Sequence, residues 1–370
     1  MLFKEVIGQE TIKEHLIHEI REDKVAQSQL FHGKMGYGTL PLALAFIQYL
    51  FCENKAESDS CGKCSSCRKV SELQHPDLHF FFPVVQAITK SSSKHLQDWR
   101  DQIRESAYFD LYEWTQRIDG RERKPIISAD ESIEIIRKTT LKSFEGGHKV
   151  YVIWMAEEMN AICSNKLLKL LEEPPERSLF LLLCESIDGI LPTILSRMQI
   201  VSIPRIQDGE LTSYLVQKTM IDIETAQSCT SFSEGDYITA TSQLKQQENA
   251  DFLEIFKNLM RFGYKKDVNA MLDWADYTSQ QSKEKQKLFV VYALHLIRQS
   301  NLINYTPGAL VKLSQDEAYF LSNFAKFING KNIQAFMQTM NDIYYHLERN
   351  ANPRIVFTHL IFQVMRYIHM

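Results

Sequence analysis

The chain has 370 residues, 44% hydrophobic and 24% charged, the balance of a soluble globular protein long enough for two or three domains. Its 42 Lys and Arg against 46 Asp and Glu leave a formal net charge of -4, which argues against a chain-wide nucleic-acid-binding character. The longest strongly apolar run, LFLLLC at 179–184, is far short of the ~20 residues that cross a bilayer, so no membrane partner is expected. The N-terminal stretch MLFKEVIGQE lacks the apolar core of a secretory signal, and a cytoplasmic location is expected.

The first element is an amphipathic helix, TIKEHLIHEIRED, with Ile12, Leu16, Ile17 and Ile20 at helical spacing. QLFHG then reads as a short apolar strand running into GKMGYGTLPLA at 33–43. A phosphate-binding loop has a Gly, four residues, then Gly-Lys-Ser/Thr at the start of a helix. Gly33 and Gly38 keep that spacing, with Gly36 between them, but Thr39 stands in the Lys position and Leu40 in the Ser/Thr position. LPLALAFIQYLF continues as a buried helix with Pro41 in its first turn, where a missing N–H costs little. Strand, glycine loop and helix supply the right context, but the groups that balance phosphate charge and ligate Mg²⁺ are gone.

Four of the seven cysteines follow at once: Cys52, Cys61, Cys64 and Cys67 form C-x8-C-x2-C-x2-C. Such spacing puts four thiolates on one tetrahedral ion, so a closed, structural Zn²⁺ site is expected. His75 and His79 lie downstream, but four sulfurs already complete the shell. Cys163, Cys184 and Cys229 are isolated and read as inert buried thiols.

Residues 84–128 form a polar and aromatic stretch, expected to give one or two exposed helices. SIEIIRKTTLKSF reads as an amphipathic helix with Ile133, Ile136, Leu141 and Phe144 on its apolar side, stopped by Gly146-Gly147. HKVYVIWM is a buried parallel strand, β-branched and aromatic without alternation. It places Trp154 and Met155 where magnesium-holding acids would be expected. Glu157 and Glu158 come later and are expected to favour the next helix N-terminus. NAICSNKLLKLLEEPP is a helix ended by a Pro pair, and SLFLLLC is read as the last strand. Ser196 and Arg197, in LPTILSRMQI, then stand at the rim of this α/β region. An exposed arginine there is either a plain surface residue or a finger directed at a neighbouring subunit's ATP.

Beyond about residue 204 the signals are helical: DFLEIFKNLMRF, KQKLFVVYALHLIRQ, NIQAFMQTMNDIYYHL and RIVFTHLIFQVMRYI. The polar EGDYITATSQLKQQENA and the loop QSNLINYTPGAL are read as breaks between them.

Taken in order, VIGQ, QLFHGKMGYG, the four cysteines, HPDLHFF, HKVYVIWMAEEMN, NKLLKLLEEPP and LPTILSRMQ resemble the clamp-loader branch of the AAA+ ATPases, and within it the bacterial delta-prime family. The resemblance covers about 1–205 without 84–128, and is looser beyond. It implies a RecA-like α/β AAA+ P-loop module over 1–205 with a zinc-binding insert, a small helical lid over 206–247 and an all-α collar over 248–370. It further implies a subunit of the DNA polymerase III clamp loader, without ATPase activity of its own, that helps load the sliding clamp onto primed DNA. Implied partners are delta and the ATP-bearing gamma/tau subunits, with Arg197 as a finger in trans. Met198 departs from the family's Ser-Arg-Cys, and QSQLF replaces a His-Ala-containing stretch before the loop.

Two other readings stand beside this one. An active gamma/tau-like ATPase needs Lys at 39 and an acid at 154, and the chain has neither. A zinc-dependent DNA-binding protein needs a concentrated basic surface, whereas Lys55, Lys63, Arg68 and Lys69 are balanced by Glu53, Glu57, Asp59 and Glu72.

Overall fold

In the computed structural model, which describes residues 1–121, 123–246, 252–305, 313 and 315–370, the chain forms two compact units. One comprises Met1–Met220 with Glu234–Ile238, the other Ile221–Ser233 with Thr239–Met370.

The first unit is built on strands β1 (Ser28–His32), β2 (Leu78–Phe81), β3 (Lys149–Trp154), β4 (Ser178–Cys184) and β5 (Gln199–Ser202). All are parallel, in the order β2-β3-β4-β1-β5. Every residue of β3 and β4 is buried, as a strand covered on both faces requires. Alternate residues feed two cores: Val150, Val152 and Trp154 pack on one face, Tyr151 and Ile153 on the other. Helices of this unit are α1 (Glu10–Arg21), α2 (Thr39–Phe51), α3 (Ser65–Ser71), α4 (Leu96–Glu105), α5 (Leu111–Ile118), α6 (Ala129–Thr139), α7 (Ala161–Glu172), α8 (Pro192–Leu195) and α9 (Asp208–Thr219). The first core takes α1, α2, α4 and α5, and the second takes α6 and α7. The α/β expectation, with helices on both faces, is met. From β1 the chain crosses to the far edge, and from β4 it passes over β1 to β5. The loops after β1 and β4 therefore meet at a switch point, where such sheets bind ligands.

Several expectations need correction. The 84–128 stretch gives two helices, α4 and α5, but they are not exposed: Trp99 and Trp114 are fully buried. Trp99 stacks on Phe82 at 4.3 Å, and Trp114 Nε1 donates to Pro83 O at 2.9 Å. Glu122 lies outside the described residues. Helix α6 stops at Thr139 and buries the opposite side from the one expected. Ile133, Leu141 and Phe144 are 55%, 57% and 82% exposed, and Ile136 is exposed too. The cause is a polar tie: buried Glu131 accepts Ser92 N–H at 2.8 Å and Ser92 Oγ–H at 2.5 Å, which turns Ile135 inward. SLFLLLC is not the last strand, since β5 follows Arg197.

The second unit is helical throughout its described residues: α10 (Ile223–Ser233), α11 (Tyr237–Gln246, whose first two residues belong to the first unit), α12 (Phe252–Lys265), α13 (Val268–Ser279), α14 (Lys283–Tyr305), α15 (Gln315–Phe324), α16 (Ile333–Glu348) and α17 (Pro353–Ile368). The four helical segments read in the sequence fall on α12, α14, α16 and α17. Phe256, Trp274, Leu296, Met340 and Phe357 share its core, and Trp274 Nε1 donates to Ile255 O at 3.0 Å. The stretches read as breaks are partly helical, in α11 and the end of α14. Their remainders at 247–250 and 306–310 lie outside the described residues.

Candidate functional site

The glycine loop leaves β1 and closes on itself. Residues Met35–Tyr37 form a short 3₁₀ turn in which Tyr37 N–H donates to Lys34 O at 3.0 Å and Gly38 N–H to Met35 O at 3.1 Å. Gly38 takes φ +95°, a conformation that favours glycine. Met35 N–H donates to Glu185 Oε1 at 2.8 Å, a carboxylate just past β4. Three donors of the kind a phosphate loop offers to its ligand, the N–H groups of Met35, Tyr37 and Gly38, are thus already engaged. Thr39 is fully buried, and its hydroxyl donates inward to Gly33 O and Lys34 O, both at 3.0 Å. Against Gly36 lies Asp236: a Cβ added there would fall 1.8 Å from Asp236 Oδ1. Gly33 is also tightly approached, by backbone, with Ile203 O at 2.6 Å from such a Cβ.

Trp154, in the place of an acid, is fully buried and donates Nε1–H to Met35 Sδ at 3.1 Å. Its ring lies 5.2 Å from Trp99 and 5.0 Å from Phe109. Those two rings come from the 84–128 stretch, which therefore packs directly beside the loop. Tyr108, next in chain, accepts the Ile7 N–H on its phenol oxygen at 3.0 Å. None of Tyr108, Glu185 or Asp236 was singled out in the sequence, and no local signal marks them.

Glu157 and Glu158 do not serve the N-terminus of α7, which Asn160 caps by accepting Cys163 N–H at 2.8 Å. Glu158 pairs with Lys124 at 3.1 Å. Glu157 accepts the N–H groups of Glu185 (2.8 Å) and Ser186 (3.3 Å) with Oε1, while Oε2 has no partner. Burial pushes its carboxyl from 4.5 up to about 7. A raised carboxyl pKa stabilises the fold below the unfolded value, and that term is lost as pH rises through about 7. Glu157→Gln keeps the acceptor without the charge. Its melting temperature is expected to exceed wild type at pH 8, by up to about 3 kcal/mol in stability, with no gain at pH 4. Equal gains at both pH values in thermal melts would contradict this.

The sulfurs of Cys52, Cys61, Cys64 and Cys67 all lie within 4.8 Å of one another. Cys61 Sγ and Cys67 Sγ are 3.9 Å apart, close to the ~3.8 Å edge of a tetrahedron with ~2.3 Å zinc–sulfur bonds. Backbone N–H groups point at the sulfurs: Cys61 to Cys52 Sγ at 3.3 Å, Lys63 and Cys64 to Cys61 Sγ at 3.4 Å, and Cys67 to Cys64 Sγ at 3.4 Å. The Lys63 and Cys64 N–H groups pull the Cys61 thiol down to about 6. This donor set suits a metal ion. His75 is not part of it: it stacks on Phe51 and meets Glu145 Oε2 at 3.1 Å.

Arg197 sits between α8 and β5. It donates Nη1–H to Thr193 O at 2.7 Å and to Ser196 Oγ at 3.3 Å, and Nη2–H to Glu172 Oε1 at 3.2 Å. Its side chain is 31% exposed, and Nε has no hydrogen-bond partner. Ser196 donates its hydroxyl to Thr193 O at 3.1 Å.

Residues 8–207 match the family described as DNA polymerase III, delta subunit. The chain is 29% identical to the DNA polymerase III subunit delta' of Bacillus subtilis (strain 168), over 55% of this chain and 50% of that protein. It is 22% identical to the tau subunit of the same organism, over 99% of this chain and 62% of that protein. With the delta' subunit of Yersinia pestis it shares 28% identity over 45% of this chain and 38% of that protein. The chain thus spans about half the length of the curated relatives it matches. Among solved structures, a gamma subunit-related protein from Thermotoga maritima superposes over 96% of this chain and 99% of its own, at TM-score 0.41 and 15% identity. Among the described residues, no helix is long and apolar enough to cross a membrane.

Proposed function

The chain belongs to the DNA polymerase III delta subunit family, and on that footing we propose that it is a cytoplasmic clamp-loader subunit that does not hydrolyse ATP. It assembles with delta and gamma/tau subunits, helps place the sliding clamp on primed DNA, and lends Arg197 to a neighbour's ATP. On this reading the α/β module would span 1–205, the lid 206–247 and the collar 248–370.

One observation supports the non-hydrolysing reading: the N–H groups of Met35, Tyr37 and Gly38 in the loop are engaged within the chain. Met35 N–H is on Glu185, and Thr39 faces inward. Trp154 fills the place of a metal-holding carboxylate. A tau-like ATPase is the second reading, favoured by similarity over nearly the whole chain; Thr39, Leu40 and Trp154 speak against it. Cys52, Cys61, Cys64 and Cys67 would hold one Zn²⁺ as a closed structural site, with no open position for chemistry.

The isolated, untagged chain is expected to show no ATP turnover with Mg²⁺. Turnover that survives purification and disappears on mutation within 33–40 would overturn the reading in favour of the tau-like one.

A further inference from the structure

Residues 84–128 have no role in the function proposed above, yet they reach the loop that gives the fold its ligand-binding character. Tyr108 stands over Gly38: its Oη would lie 3.3 Å from a Cβ at that position, so the approach suits a bare glycine. The same oxygen takes the Ile7 N–H, tying the N-terminal segment to the loop through one phenol. Its ring packs edge-on against Tyr237 at 4.8 Å, and Ser106 fixes its backbone by accepting Tyr108 N–H at 3.1 Å and donating to Tyr108 O at 3.0 Å. Phe109 and Trp99 anchor the segment on Trp154. Asp236 and Glu185 bring carboxylate oxygens to Gly36 and Met35.

A nucleotide would bring to such a loop an aromatic ring with hydrogen-bonding groups and a set of anionic oxygens. Here the chain supplies both kinds of group itself. We infer that the 84–128 insertion, through Tyr108, acts as a built-in ligand of the glycine loop and holds it, without nucleotide, in the ordered shape that a bound ligand would otherwise impose. Ordering that a free ligand would supply at the moment of binding is supplied on folding. The loop then has no ligand-dependent change of state. This deepens the non-hydrolysing reading, but its test reads loop order rather than turnover.

The test is amide hydrogen exchange of the full chain, comparing wild type, Tyr108→Ala and Tyr108→Phe, each with and without Mg-ATP. In wild type, amides of 33–42 and Ile7 should be protected, and Mg-ATP should change nothing. Tyr108→Ala should exchange at least about tenfold faster at both places, with the second unit unchanged as a control for folding. Tyr108→Phe keeps the ring, so the loop should stay protected while Ile7 alone loses protection; this variant decides the matter if the alanine variant fails to fold. Free exchange of the wild-type loop, an unchanged loop in Tyr108→Ala or an unchanged Ile7 in Tyr108→Phe would each overturn the inference. Protection gained by wild type on adding Mg-ATP would overturn it too. An absence of turnover survives the first three results, so the two readings fail separately.

Discussion

If Arg197 acts as the finger proposed above, clamp loaders rebuilt with Arg197→Ala protein are expected to hydrolyse ATP more slowly than wild-type complexes, although on that reading the hydrolysing residues lie in another chain. An arginine that meets a γ-phosphate is worth ~10³–10⁵ in rate at its site. The steady-state loss should be smaller, because on the proposed reading this subunit would border only one of several sites. Folding should be spared. Arg197 makes an exposed ion pair with Glu172, a class worth about 0–1 kcal/mol, and its backbone is held independently by Arg197 N–H to Ile194 O at 2.9 Å. To reach a neighbour, the guanidinium must release Glu172 and Thr193, which costs little for the same reason. Arg197→Lys should rescue only partly, because an ammonium lacks the planar fork that engages two phosphate oxygens. Steady-state ATPase with saturating clamp and primed DNA, after equal assembly is confirmed, gives the answer. Matching rates for wild type and Arg197→Ala would reduce Arg197 to a surface residue.

Metal analysis of the untagged protein is expected to give one zinc per chain, and Cys64→Ser to lose it. Cys64 isolates the ligand role cleanly, since its Sγ also caps α3 by accepting Cys67 N–H, a task a serine hydroxyl can take over. Apparent binding free energies of ~10–16 kcal/mol in small zinc peptides show how much local order one ion can maintain. Loss of metal should expose 52–71 to proteolysis while the sheet stays folded. The disturbance should travel one step further. Lys69 on α3 pairs with Glu145, which also receives His75, and buried Asp77 accepts Ser143 Oγ–H, Phe144 N–H and Glu145 N–H at 3.0, 2.8 and 3.0 Å. Full zinc in Cys64→Ser, or none in wild type, would remove the assignment.

What the sequence disclosed follows the reach of the interactions involved. β3 and β4 are covered on both faces, so KVYVIW and SLFLLLC announce themselves as unbroken apolar runs. The strands not read, LHFF and QIVS, are four-residue edges, and three of the four residues in β5 are exposed. The cysteine site was legible because all its ligands sit in one short segment. Tyr108, Glu185 and Asp236 were not, because each acts on a loop distant in sequence. Trp99 and Trp114 looked like exposed aromatics because Phe82, Pro83 and Trp154, their partners, lie outside the polar stretch. Helix α6 misled for a different reason: two of its buried positions are Glu131 and Ser132, which hydrophobic spacing counts as surface.

Thr39 and Trp154 also bear on what single substitutions at the loop could achieve. A lysine restored at 39 would enter a position with no exposed surface, beside carbonyls that now bond the threonine hydroxyl. A carboxylate restored at 154 would sit unpaired among the rings of Trp99 and Phe109. Each change alone would bury a charge in a site now filled by uncharged groups, which is costly. On the non-hydrolysing reading proposed above, no single substitution at this loop would install a motor, because each new group would need matching changes in the neighbours that now fill its space.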